Sequence, residues 1–110
     1  MERFIISDLL RIKGITNVAL LDKDGLVVST GIEHHQQTKD ISKIADMIRT
    51  KDNFSRITIT SEKAILIVDS LETGFRLVSW CEQSCNLGLI RNGLDNSINK
   101  LNAYLSSRVS

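Results

Sequence analysis

Three pairs of residues have side chains suited to metal binding or redox chemistry: His34 with His35, Cys81 with Cys85, and Asp22 with Asp24. A zinc site takes about three or four protein ligands, and adjacent histidines in a loop rarely point at one ion. A calcium site needs a longer string of oxygen ligands than two aspartates supply. We therefore expect a solvated loop at the histidines, a hairpin turn at the aspartates, and no metal or cofactor.

The two cysteines lie four residues apart. On one face of a helix they could bind a metal or be oxidised together, but Cys81 is expected to end a strand. A cytoplasmic compartment keeps thiols reduced. The favoured interpretation is that both are free, dispensable thiols, and redox sensing or metal binding is the alternative.

Motifs typical of catalysis are absent from the sequence. It has no phosphate-binding loop of the form G-x-x-x-x-G-K-[ST], so the chain is not itself a P-loop GTPase. It also lacks G-x-G-x-x-G and G-x-S-x-G, and no acid–base or nucleophile constellation is visible. The sequence therefore predicts a protein that is not an enzyme.

Composition and charge set further limits on function. The chain has 110 residues, 42% of them hydrophobic and 25% charged, which is typical of one globular domain covering residues 1–110. A net charge of +1 argues against a dedicated nucleic-acid binder. No apolar run approaches the roughly 20 residues of a membrane span, and the first residues do not resemble a signal peptide. We expect a cytoplasmic protein without membrane insertion.

In the second half of the chain, apolar residues recur first with the period of strands and then with the period of a helix. Strands are predicted at Ser55–Thr60, at Ala64–Val68, which suits a central strand buried on both faces, and at Phe75–Trp80. Ser70–Gly74 is predicted to turn the chain. The following apolar residues fall on one stripe of a long helix: Leu87, Ile90, Leu94, Ile98, Leu101 and Leu105.

The first half predicts two helices around a hairpin. A helix over Met1–Lys13 should stop at Gly14, since glycine favours the left-handed conformation after a helix end. The strands Asn17–Leu21 and Leu26–Thr30 flank an Asp-Gly turn. A middle helix is predicted from Thr38 to Arg49. The element order is α-β-β-α-β-β-β-α, which suits a three-layer sandwich around one five-stranded antiparallel sheet.

Two features indicate an interface. The apolar arc of the middle helix is about 160° wide once Met47 is included, which is more than one sheet face needs. The strand Ser55–Thr60 has no proline, and Arg56 is its only charge, so it would make an unprotected sheet edge. A solvated strand face is the alternative interpretation of Arg56, Thr58 and Thr60.

The sequence resembles the roadblock (dynein light-chain) domain family over nearly the whole chain. The element order and three local features carry the resemblance. The first is a glycine, a strand and an Asp-x-Asp-Gly turn over Gly14–Gly25, and the second is the entry into the last helix at Asn86–Arg91. The third is the spacing between them, which fits a helix and a three-strand meander. Longin-like, profilin-like and sensor-type folds have similar layers and are the alternatives. The resemblance implies an α/β fold of the roadblock/profilin-like type with strand order 2-1-5-4-3. It also implies a homodimer or heterodimer in which the middle helices pack against each other and the strands after them join two sheets into one. The resulting platform would bind a small Ras-like GTPase or a larger motor or signalling assembly.

These observations lead to a non-enzymatic homodimeric adaptor or regulator of a small Ras-like GTPase. Asp40 and Lys43 could pair across the seam between the two middle helices. The full set of expected interface residues is Asp40, Lys43, Ile44, Met47, Ile48, Arg56, Ile57, Thr58, Ile59 and Thr60. A small-ligand sensor and a structural dimerisation subunit of a larger complex are the alternatives.

Overall fold

The computed structural model describes residues 2–24, 26–30, 56–62 and 64–109. The described strands form one five-stranded antiparallel sheet in the order β2-β1-β5-β4-β3. The elements in chain order are helix α1 (Glu2–Leu10), strands β1 (Ile15–Leu21), β2 (Val27–Thr30), β3 (Arg56–Thr60), β4 (Ile65–Ser70) and β5 (Arg76–Cys81), and helix α2 (Leu87–Val109).

The fold class predicted from the sequence needs a correction in its helical layers. The structure describes two helices rather than three, and both pack on the same face of the sheet. The described part of the chain is therefore a two-layer structure and not a three-layer sandwich. The predicted middle helix, Thr38–Arg49, lies outside the described residues. A sequence period shows which residues share a face, but it does not fix how many layers pack together.

The main core lies between this face of the sheet and the two helices. All six residues of the predicted stripe on the last helix belong to it or pack against it, which confirms the stripe. Burying a leucine or isoleucine completely is worth about 1.5–3 kcal/mol, so these contacts dominate the packing of α2. Its other members come from α1, β1, β4, β5 and Leu71 in the turn after β4, and the fully buried ones include Leu9, Leu20, Ile67 and Leu77.

A second, smaller apolar cluster lies on the opposite face of the sheet. It consists of Ala19, Leu21, Val68 and Val78, each at most 1% exposed. Because side chains alternate along a strand, Val68 points to this face while its neighbour Ile67 points to the helices. The prediction of a central strand buried on both faces is therefore confirmed, although β4 runs from Ile65 to Ser70.

The end of α1 differs from the prediction. The helix stops at Leu10, not Lys13, because the amides of Arg11 and Ile12 donate to carbonyls three residues back, at 3.2 and 3.0 Å. This tighter turn leads into Gly14, whose φ of 104° confirms the predicted glycine stop.

Gly93, in the middle of α2, is closely approached by the segment that follows α1. A Cβ at this position would overlap the Cδ1 of Ile12. Glycine in a helix interior costs about 0.5–1 kcal/mol against alanine, and the close packing with Ile12 offsets that cost. Ile12 itself packs against the main core, so the contact helps to hold the start of the chain on α2.

Short-range hydrogen bonds close the turns between the strands. The Asp22 carboxylate accepts hydrogen bonds from the amides of Asp24 and Leu26, both at 2.9 Å, which confirms a hairpin turn there. Between β3 and β4, the amide of Ser61 donates to the carbonyl of Ala64 at 2.9 Å, as expected of a hairpin connection. The predicted turn after β4 begins one residue late, at Leu71, and ends at Gly74 with a φ of 89°.

Candidate dimer and partner interface

Strand β3 lies at one end of the sheet. It pairs antiparallel with β4 from Arg56 opposite Asp69 to Thr60 opposite Ile65. No other described strand pairs with β3, so within the described residues its outer side keeps unpaired backbone donors and acceptors. The edge position that the sequence pattern predicts for this strand is therefore observed.

The two faces of β3 differ in polarity. Ile57 and Ile59 lie opposite Val68 and Leu66 on the face of the smaller cluster, and both are half-buried. Thr58 and Thr60 point to the helical face and are exposed. Together these side chains place half-buried apolar atoms and exposed hydroxyls along one open edge, a composition that suits pairing with another strand.

Arg56 does not lie free on the surface. Its Nε atom bonds to Oδ1 of Asp69 on β4 at 2.5 Å, and its Nη2 atom bonds to Oδ1 of Asp95 on α2 at 2.6 Å. The side chains of Asp69, Arg56 and Asp95 are 2%, 23% and 61% exposed, respectively. The solvated-face interpretation is wrong for Arg56, because its guanidinium joins three elements of the same chain. We call Arg56, Asp69 and Asp95 the edge ion cluster.

Burial and ion pairing compete within the edge ion cluster. Burial raises the pKa of Asp69 above its ordinary value, although the hydrogen bond and charge of Arg56 oppose the shift. Burial acts to lower the pKa of Arg56, but the two carboxylates outweigh it and raise that pKa. The second oxygen of Asp69, Oδ2, is buried and accepts no hydrogen bond from the described residues. Sequence reasoning missed Asp69, and its signal was an acid directly after the apolar run of β4.

The remaining predicted interface residues belong to the middle segment. Asp40, Lys43, Ile44, Met47 and Ile48 lie outside the described residues, so the structure brings only the five residues of β3 together. Of these five, Arg56 makes ion pairs within the chain, whereas the other four line the open edge.

The predicted reactive side chains form no cluster that could bind a metal in the part of the chain that the structure describes. His34 and His35 lie outside that part. Cys81 and Cys85 are free thiols, and Cys81 is completely buried in the main core. Burial, followed by the neighbouring Cys85, raises the pKa of the Cys81 thiol to about 11, which keeps it protonated and unreactive.

The two helices on one face of this antiparallel sheet, with the strand order given above, define a roadblock-type fold. The resemblance drawn from the sequence is confirmed at the level of the fold by solved structures. A roadblock/LC7 domain from Streptomyces avermitilis superposes with a TM-score of 0.79 at 18% identity, covering 94% of this chain and 96% of that chain. MglB from Myxococcus xanthus superposes with a TM-score of 0.78 at 19% identity, with the same coverage of both chains.

A third structure shows the fold in an assembly. It is described as MglB with a tetrameric arrangement, and it superposes with a TM-score of 0.75 at 17% identity over 93% of this chain and 87% of that chain. No family model matches the chain, and no curated protein matches it by sequence. Among the described residues, neither helix combines the length and the apolar character that crossing a membrane requires.

Proposed function

We propose that this protein is a non-catalytic, cytoplasmic homodimeric adaptor or regulator that binds a small Ras-like GTPase. The observation that carries the proposal is the open edge of β3, whose outer side has no partner strand among the described residues. The roadblock-type fold supports the class of protein, and the tetrameric arrangement described for one MglB structure supports self-association. The GTPase partner rests on the family resemblance of the sequence.

The dimer forms when the edge strands of two copies pair antiparallel across a twofold axis. Such pairing makes the two sheets continuous and satisfies the outer backbone groups of both strands. A stable interface of this kind buries at least about 1,200 Å² in total. The GTPase then binds a surface that only the two copies together provide, so a monomer should not bind it.

Two substitutions of Thr58 test the edge. Thr58→Pro removes a backbone donor and fixes φ near −65°, which an edge-to-edge pair cannot easily accommodate. Thr58→Lys places a charge at an exposed position and leaves the backbone able to pair with β4. The charge disfavours pairing of the open edge with another strand. Glu62→Lys, in the exposed turn after β3, is the control because it makes the chain two charges more positive, a larger change than Thr58→Lys makes, but away from the strand.

Light scattering at micromolar concentration should give a dimer for the wild type and for Glu62→Lys. It should give a folded monomer for Thr58→Lys, and circular dichroism checks the folding of each variant. Pull-down of a GTPase from native lysate, in GTP- and GDP-analogue arms, should succeed only with the dimeric proteins. A monomeric wild type, or a Thr58→Lys variant that stays dimeric and binds the partner, would contradict the proposal. A dimer that retains no GTPase would favour the structural dimerisation subunit.

A further inference from the structure

The edge ion cluster joins the candidate interface strand to a helix that lies outside the interface. Arg56 is the first residue of β3, and one planar guanidinium reaches β4 through Nε and α2 through Nη2. Because the guanidinium is rigid, holding two carboxylates at once fixes the first residue of β3 relative to both elements. A lysine at this position carries one point charge on a flexible chain and could not hold both acids in the same geometry.

The two acids contribute in different ways. Asp69 is buried, so removing its charge or its partner disturbs the interior. Asp95 is 61% exposed, and removing its charge leaves Arg56 paired with Asp69 and leaves no new buried charge. Asp95 can therefore be changed without leaving an unpaired charge in the core. Its effect on the edge strand can be measured separately from that of Asp69.

The cluster also determines what the edge presents to another strand. Arg56 is the only charged residue in β3, and an unpaired charge on an edge strand disfavours pairing with another strand. In the structure its guanidinium is held by the two acids on the helical side of the sheet. Both effects, the fixed strand and the neutralised charge, favour association through β3.

We propose that Asp95 is a positioning residue for the dimer edge, acting through Arg56 from helix α2. The inference rests on the dimer proposed above, and it assigns Arg56 to strand placement rather than to contact with the second copy. Association through β3 therefore depends on a side chain on a different element of the fold. Loss of Asp95 releases Nη2 of Arg56 and loosens the first residue of β3, although Asp69 still pairs with the guanidinium.

The test compares Asp95→Asn with Asp8→Asn. The second variant makes the same isosteric change at an exposed site on α1 and removes the same charge. Analytical ultracentrifugation should show that Asp95→Asn weakens the dimer about two- to fivefold, a range set by the energy of one exposed ion pair. Asp8→Asn should match the wild type. Asp95→Glu should keep most of the wild-type dimer affinity. Arg56→Lys should weaken the dimer to a similar extent as Asp95→Asn.

Amide hydrogen exchange gives a readout that does not need the dimer. In protein diluted to monomer, or in the Thr58→Lys background, the amide of Ile57 should exchange faster in Asp95→Asn than in Asp8→Asn. Equal exchange together with equal dimer affinity in these two variants would overturn the inference while leaving the proposed dimer intact. A monomeric wild type would overturn the proposed dimer, and the exchange comparison would still decide whether Asp95 holds β3.

Discussion

Substitution of Gly14 by alanine should destabilise this fold strongly. Gly14 has a φ of 104°, which residues with a side chain rarely adopt, and this conformation costs about 1–2 kcal/mol for alanine. A Cβ there would also lie 2.7 Å from the Cβ of Cys85, an atom fixed by the backbone rather than a flexible side-chain end. Overpacking of this kind costs about 1–3 kcal/mol.

Together these two costs reach about 2–5 kcal/mol, against a total stability of about 5–15 kcal/mol for a natural domain. For a chain of this size, we therefore expect Gly14→Ala to lower the thermal midpoint by at least about 10 °C. The carbonyl of Gly14 also accepts a hydrogen bond from the amide of Glu82 at 2.8 Å. Any backbone shift that relieves the clash with Cys85 would strain this bond.

Gly88→Ala is the matched control. Gly88 lies in the first turn of α2, has an ordinary φ, and would place its Cβ 3.4 Å from the nearest atom, Oδ1 of Asn86. It should be neutral or slightly stabilising. Urea and thermal unfolding of both variants measure the difference, and Gly14→Ala in a Cys85→Gly background separates the clash from the backbone cost. A Gly14→Ala protein within about 0.5 kcal/mol of the wild type would refute the reasoning.

Three further predictions concern the two thiols and the carboxylate of Asp69. At about pH 8, iodoacetamide should label Cys85 of the folded protein while Cys81, with its pKa of about 11, stays unlabelled, and equal labelling by mass spectrometry would contradict its burial. Replacing both thiols with alanine should leave dimerisation nearly unchanged, and one equivalent of copurifying zinc would overturn the assignment of free thiols. Because the pKa of Asp69 is raised, its contribution to stability is present below the unfolded value of about 4 and declines as pH rises through the folded value. The unfolding free energy of Asp69→Asn, relative to that of the wild type, should therefore increase as pH rises. A relative decrease would show that pairing with Arg56 outweighs burial.

The periodic elements of this chain could be predicted closely because each one buries a regular face. The stripe from Leu87 to Leu105 identified α2, and the alternation around Thr58 identified β3, with the boundaries of most elements shifted by a few residues. The end of α1 could not be located, because the tight turn at Arg11 and Ile12 depends on backbone hydrogen bonds that no side-chain period records. The two-layer packing of the described residues was not recoverable either, because a period does not identify the packing partner of an element.

The open edge strand of the candidate site could be predicted from the sequence, but the ion pairs of Arg56 with Asp69 and Asp95 could not. The absence of proline and the alternation in β3 indicated an open strand. Nothing in the sequence around Arg56 shows that its two carboxylate partners lie 13 and 39 residues further along the chain. Asp69 directly follows an apolar run, and only the tertiary structure shows which cation compensates its burial. Residues that act through long-range ion pairs are therefore the part of this site that a single sequence conceals.

The pairing of β1 with β5 has a consequence for how the chain folds. This pair occupies the centre of the sheet, yet its two strands are far apart in the sequence, with Leu21 opposite Arg76 and Ile15 opposite Cys81. Each neighbouring pair, β1 with β2 and the meander of β3, β4 and β5, can form from local sequence. The central pair must first close a long loop, which costs entropy before any contact compensates for it. On the ribosome, the first hairpin is therefore made well before its central partner strand and waits with an open edge until β5 emerges.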